Sequence, residues 1–465
     1  MRSGELLPGL AVCFALAGGS AWADDTATSR VARVSAVAGP VQYRSTSDAI
    51  WSDALVNEPV AAGAGVRNAR DAVAELRSAG IGVALAVSSE LTIVRFDRDV
   101  LEIAVTQGRV GVHLDPAGAV GLVQIDLPRG GAWLAEPGDY DIAAGDAETP
   151  ARIEVFAGKT LLGGGLDDRN FATAERDAFN DWWLSHDDDT TAEDIGHLPP
   201  GIAGAAALAV AGTWETDAKL GEIWYPNGVA DDWAPYRDGS WRFLPPWGWT
   251  WIDNAAWGFA PSHYGRWARI GERWAWAPGP QADAPDYNPA EVAFIGTAGI
   301  GLSQPGDSGP AVAWFPLAPG ETIGDGNDPD YQNRRFASAV PRAVFAGGQA
   351  VSPALVDLPQ RRLLDAPVIL AALDIPPVGA VAPAAAKRPR VVTLAAVRLP
   401  TPAAAPSVPA RKPFLARLHD ALSRDGHKRL AIASVIVLRS RPAASTNAAH
   451  PTHNRQHLAA ARGGA

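Results

Sequence analysis

The chain has 465 residues, 47% of them hydrophobic, which is enough for two or three domains with apolar cores. Its 47 glycines and 38 prolines argue against a long-helix or coiled-coil protein, and its single cysteine, Cys13, rules out a disulfide framework, a zinc–cysteine cluster and a cysteine nucleophile in a mature chain. The net charge of −11 is uneven: residues 351–465 hold 16 Lys and Arg against 5 Asp and Glu, so an acidic body carries a basic tail.

Arg2 opens a short basic start, Leu6 to Ala17 is apolar or small, and Ala21-Trp22-Ala23 puts small residues where an export signal is cut. Residues 1–23 therefore read as a signal peptide cleaved after Ala23, and the protein is expected to be periplasmic or secreted. No other run approaches the length of a membrane helix; Gly201 to Gly212 is apolar but broken by glycines.

From about residue 30 to 165 the apolar residues alternate with period two, the mark of half-buried strands. Leu101, Ile103 and Val105 share one face, and the alternation resumes after Gln107-Gly108 at Val110, Val112 and Leu114, which predicts a hairpin. Trp133 and Ala135, Pro137-Gly138, then Tyr140 and Ile142 predict a second one. Short strands at such spacing argue for an all-β sandwich or rolled sheet.

The order Gly39-Pro40-Val41, Trp51, Asn57-Glu58-Pro59-Val60, Gly65-Val66 and Ala74-Glu75-Leu76 resembles the opening of a FecR-like domain. Val105 to Val112, Ile125 to Arg129, Gly138-Asp139-Tyr140 and Ile153 to Gly158 follow in that family's order. The resemblance implies an extracytoplasmic β-rich module. In the founding type it senses an outer-membrane transporter and signals to a sigma factor through a membrane helix placed before the domain. Here a signal sequence occupies that place, so the module is expected to persist as a binding domain.

Residues 166–211 read as a helical and acidic connector. Phe171, Ala174, Ala178 and Trp182 recur on one helical face, and His186-Asp187-Asp188-Asp189 ends the run. This acidic stretch, like Asp325, Asn327, Asp328 and Asp330, lacks the spacing of a calcium loop and reads as a solvated linker.

Residues 212–345 hold twelve of the 17 tryptophans. Ala234 to Trp241 and Ala260 to Trp267 share the pattern Ala-Pro-x-x-x-Gly-x-Trp, 26 residues apart. Trp247, Trp249 and Trp251 follow the first copy, Trp274 and Trp276 the second, and Trp214 to Tyr225 suggests an earlier, degenerate copy. Alternate positions put the indoles on one strand face, and the Pro and Gly residues make the turns, so two or three stacked hairpin repeats are expected. Such indoles serve either as core or as a contact surface for sugars or proteins. As a surface, the candidates are Trp233, Tyr236, Arg237, Trp247, Trp249, Trp251, His263, Tyr264, Arg266 and Trp267, with Asp232 and Asp238 beside them. Asp232-Trp233, Pro246 to Trp251, His263 to Trp267, Trp274 to Pro280 and Val312 to Glu321 are similar to a Trp-rich domain of unknown function that follows FecR-like domains in exported bacterial proteins.

Gly306-Asp307-Ser308-Gly309-Pro310 resembles the nucleophile loop of chymotrypsin-like serine proteases, with His263 as the base to pair with Ser308. The histidines ahead of it stand in no matching setting, and Asp-Ser-Gly-Pro is also good turn chemistry. No phosphate loop, dinucleotide fingerprint or zinc-helix motif is present, so no cofactor or metal is expected; His450, His453 and His457 read as bystanders.

Residues 346–465 read as an Ala/Pro-rich, basic, disordered tail able to contact anionic surfaces. The expectation is an all-β, exported, non-enzymatic binding or scaffolding protein of the cell envelope. Its partner would be an envelope protein or a cell-wall glycan, with no nucleic acid and no stable membrane span. The alternatives are a wall-glycan hydrolase or degenerate serine protease, and a sensing component acting through a membrane partner.

Overall fold

The computed structural model describes residues 30–115, 121–134, 136–186, 198, 201–279, 286–296, 302–303, 310–321, 331–369 and 375–378. The expected signal peptide, the Ser308 loop, the acidic stretches after His186 and around Asp328, and the chain beyond residue 378 lie outside the described residues. Strands dominate and the helices are short, as an all-β reading requires.

The first module is built from β1 (Ala32–Ala38), β2 (Val41–Arg44), β3 (Ser52–Asp53), β4 (Pro59–Val60), β5 (Gly65–Asn68), β6 (Val73–Ser78), β7 (Ile81–Leu85), β8 (Glu90–Phe96), β9 (Val100–Gln107), β10 (Arg109–Leu114), β11 (Leu122–Leu127), β12 (Gly130–Leu134), β13 (Gly138–Ala143), β14 (Arg152–Val155) and β15 (Thr160–Gly163). They form a seven-stranded sheet, β14-β13-β10-β7-β6-β1-β4, and an eight-stranded sheet, β15-β12-β11-β9-β8-β5-β2-β3. One core lies between them: Val34, Leu85, Val110, Val112 and Tyr140 from the first sheet meet Val66, Leu91, Ile103 and Ile125 from the second. The alternation is literal in β9, where Leu101, Ile103 and Val105 are buried and Glu102 and Ala104 are not.

Neither predicted hairpin pairs with itself. β9 and β10 belong to different sheets, as do β12 and β13, so Gly108 and Gly138 mark corners where the chain switches sheets. Gly108 has φ +82°, and a side chain there would strike Ser89 and the Ser88 carbonyl. Period-two patterning reports which face is buried but not which strand is the neighbour, and a Gly corner looks like a Gly turn.

The connector helix is shorter than its periodicity suggests. α1 spans Ala178–Leu184 and is capped by Asp177, whose side chain accepts from the backbone of Phe179 and Asn180 while Asn180 bonds back. Trp183, not Trp182, is the buried indole. It lies against Gly111 of β10, where an added Cβ would sit 2.5 Å from the ring. Arg109 reaches from β10 to Asp177, Asp141 and Asn180, tying the helix to the first module.

After α2 (Ala206–Ala211), the Trp-rich chain forms three hairpins: β16 (Gly212–Asp217) with β17 (Gly221–Pro226), β18 (Gly239–Leu244) with β19 (Gly248–Asp253), and, after α3 (Phe259–His263), β20 (Arg266–Ile270) with β21 (Arg273–Ala277). The expected repeat is there, degenerate first copy included. The copies do not stack as equals: the outer hairpins share the sheet β16-β17-β21-β20, and the middle one stands alone. A further sheet combines β22 (Val292–Ile295), β23 (Leu302–Ser303), β24 (Pro310–Pro316), β25 (Ser338–Pro341) and β26 (Val368–Ile369). Residues assigned by composition to the tail complete this module. Past α4 (Arg342–Ala346), Val351 is fully buried, α5 (Gln360–Asp365) buries Leu363, β26 pairs with β22, and Ile375 enters the Trp core. Their composition is Pro-rich, but their apolar residues find a preformed groove.

The middle hairpin joins the modules. Its Leu244 and Ile252 enter the core of the first module, while Trp241, Trp249 and Trp251 enter the second. Asn57, held at φ +68°, donates to the carbonyls of Asp253 at 2.9 Å and Ala255 at 2.7 Å. Arg242 donates to Glu58 Oε1 at 2.8 Å. Burial pushes the Glu58 carboxyl up to about 7, against the opposing pull of Arg242 and of the bond from the Leu55 amide.

Candidate functional site: an aromatic cleft in the second module

Most residues proposed as a contact surface are core. Trp251, Trp267, Tyr236, Tyr264 and His263 are buried, and Trp249 is only 6% exposed. The indole N–H groups are spent internally: Trp249 Nε1 donates to the Ile375 carbonyl at 3.0 Å, Trp267 Nε1 to the Pro261 carbonyl at 2.9 Å and Trp251 Nε1 to Asp253 Oδ2 at 2.9 Å. The physical reason is volume. Three short hairpins without disulfides need large, stiff apolar side chains, and edge-to-face indoles supply them: Trp241 meets Trp251 at 5.5 Å and Trp314 at 5.4 Å.

The buried ionisable groups serve the same core. Burial lowers His263 to about 4, so the imidazole is neutral, with Nδ1 2.8 Å from the Asn288 carbonyl. Arg266 pairs with Glu291, which also accepts from Asn288 Nδ2 at 2.7 Å. Tyr236 sits at φ +59°, donates to the Ser262 carbonyl at 2.9 Å, and offers its own carbonyl to Trp314 Nε1 at 3.1 Å. Arg237 is half-buried, with Nε 3.1 Å from Ser338 Oγ. Trp247 is half-buried over Tyr287, with ring centroids 5.1 Å apart, and touches both cores.

Trp233 differs from the other nine. It rests on Trp257 and Trp267 with centroids 5.9 and 5.5 Å away, and its half-buried ring lines a cleft of about 660 Å³. The cleft is lined by the outer-hairpin sheet and by the loop after β17. Its floor and walls include Thr213 and Glu215 of β16, Tyr225 of β17, Arg269 of β20, and Arg273 and Trp274 of β21. Arg273 stacks on Tyr225 at 3.8 Å and pairs with Glu215 at 3.1 Å. Arg269 faces the Trp274 ring at 5.6 Å and pairs with Glu272 at 3.3 Å. Asn227 and Asp231 stand on the overhanging loop. A slot lined by rings, with fixed guanidinium, carboxylate and amide groups around it, suits a polar ligand that also has flat apolar faces.

Sequence reasoning found one residue of this cleft. Arg269 and Arg273 flank the Gly271-Glu272 turn of the third hairpin, and Glu215 of the first pairs with Arg273. No local pattern predicts that those hairpins share a sheet. Among the described residues no three His, Cys, Asp or Glu side chains gather for a metal ion, and no helix is long and apolar enough to cross a membrane.

Residues 205–321 match a family of unknown function, DUF6600, a span that takes in the three hairpins and the cleft. No FecR-like match accompanies it for the first module. No curated protein and no solved structure matches the chain.

Proposed function

We propose that this is an exported, non-catalytic binding protein of the cell envelope, whose second module holds a wall-derived polymer in the cleft around Trp233. The observation that carries the proposal is that Trp233, half-buried against the indole core, lines the cleft beside stacked and ion-paired Arg269 and Arg273. Binding is favoured over catalysis because both cleft arginines are matched by a glutamate. Glu215 and Glu272 lie in exposed pairs with those arginines, and His263 is sealed in the core. The signal-like pattern of residues 1–23 and the resemblance of the first module's motif order to FecR-like domains support an envelope location.

The test is calorimetric titration of the exported chain with soluble peptidoglycan fragments. Saturable binding that Trp233→Ala weakens about ten-fold or more, with melting little changed, is expected for a ring that stacks on its ligand. Wild-type affinity in Trp233→Ala, or no heat at millimolar fragment, would remove the cleft reading.

A further inference from the structure

The outer face of the eight-stranded sheet carries a row of side chains that the first module's core does not use. The register places Leu161 of β15 opposite Trp133 of β12, Trp133 opposite Gln124 of β11, Gln124 opposite Glu102 of β9, and Glu102 opposite Arg95 of β8. Their sequence neighbours Ala132, Val123, Leu101 and Ile103 point into the core, so the row itself faces outward. Trp133, Gln124, Glu102 and Leu161 are half-buried, and the Arg95 side chain is 51% exposed. With strands about 4.8 Å apart, the row runs about 19 Å across the sheet.

Trp133 is held flat. A Cβ on Gly163 would lie 2.8 Å from the far edge of its six-membered ring, and one on Gly131 would lie 3.7 Å from it, so the indole covers two glycines. Trp133 Nε1 donates to Gln124 Oε1 at 3.0 Å, which fixes the ring's rotation. Gln124 Nε2 in turn donates to Asp126 Oδ1 at 2.7 Å. Asp126 and Glu102 are close enough that burial and then the Asp126 carboxylate raise the Glu102 carboxyl. The two carboxyl groups and the Gln124 amide therefore offer polar partners to hydroxyl groups.

We infer that this row is a sugar-binding platform, taking a neutral hexose chain laid across the strands with one ring on Trp133 and hydroxyls on Gln124, Asp126 and Glu102. A flat indole next to planar amide and carboxyl groups matches the apolar face and polar rim of a pyranose. The adjoining carboxyls disfavour nucleic acid and anionic polymers. Of the row's strands only β15 is a sheet edge, so a peptide cannot add as a strand through the middle of the row.

The probe is N-acetylchitohexaose, titrated into the full chain carrying Trp233→Ala so that the second-module cleft is silenced. Saturable binding in that chain is expected. It should fall about ten-fold on adding Trp133→Ala and clearly less on adding Trp133→Phe, which keeps a stacking ring and guards against a folding artefact. Gln124→Ala should weaken binding with an unchanged melting temperature. Two results would overturn the platform while leaving the cleft reading intact: no binding once Trp233 is removed although the wild type binds, or binding that ignores Trp133 and Gln124. Binding by neither the wild type nor any variant would defeat the platform and also speak against sugar in the cleft.

Discussion

Arg242 of the middle hairpin places Nη1 2.8 Å from Oε1 of Glu58, so the two modules meet across an ion pair whose carboxyl has no solvent exposure and whose guanidinium is partly exposed. Removing one partner from such a pair leaves an uncompensated charge or a vacant bonding group. Glu58→Ala is expected to destabilise the whole described body by about 3 kcal/mol, read as a lower denaturation midpoint. The two modules should then still melt in one transition, because Leu244 and Ile252 continue to bridge the cores.

The same carboxyl sets a pH dependence. Its folded value is raised from 4.5 to about 7, chiefly by burial, so the folded state holds the proton more tightly than the unfolded chain does. Its contribution is most favourable below the unfolded value and is lost as pH rises to about 7, then stays flat. Burial raises Asp253 to about 6, and that group acts in the same direction over a narrower window. Chemical denaturation between pH 4.5 and 8 should show Glu58→Gln with a shallower loss of stability than the wild type. Parallel curves for the two proteins would contradict the assignment.

Gly111 and Trp183 form a second dependence that is open to a cycle. Gly111→Ala should cost about 1–3 kcal/mol because the new methyl group enters the space of the indole. Trp183→Ala should cost about 3–5 kcal/mol as a buried aromatic truncation. Their combination should cost less than the sum of the two, since the clash exists only with the ring present.

The chain between residues 346 and 378 should be required by the Trp module. A chain ending at Phe345 lacks Val351, Leu363 and Ile375, and leaves Trp249 Nε1 without its carbonyl acceptor. It should melt far below one ending at Val378, with Trp emission shifted to the red. Equal melting of the two would show that these residues are not part of the core.

What was legible in the sequence is what local periodicity encodes. Alternation locates β9 and its buried face and β19 without its buried face, and the Ala-Pro-x-x-x-Gly-x-Trp repeat locates the hairpins beginning at Gly239 and Arg266. Partnership was not legible. Gly108 looks the same in sequence as a turn or as a corner, and β9 takes its parallel neighbour β11 from beyond β10. The cleft was hidden for the same reason, since Tyr225 and Arg273 meet only because β17 pairs with β21. Indole alternation marks one face, but it does not say whether that face meets water or a second layer, so Trp249 and Trp251 read as either surface or core until the packing layer was known. Residues 351–369 are obscured by composition: a few apolar side chains among Pro and Arg carry no period, yet Val351 enters the indole core and Leu358, Leu363 and Val368 pack on the sheet of β22 and β24.

On the proposed function, ligand enters at Trp233 while Trp241, Trp251 and Trp314 hold the core. The most direct measurement is the set of indole N–H resonances of the ¹⁵N-labelled chain during titration with soluble peptidoglycan fragments. The account predicts saturable shifts for Trp233 and the neighbouring Trp274, with the signals of Trp241, Trp251 and Trp314 unmoved. Shifts in those core indoles with Trp233 silent, or no shift in any of them at saturating fragment, would contradict it.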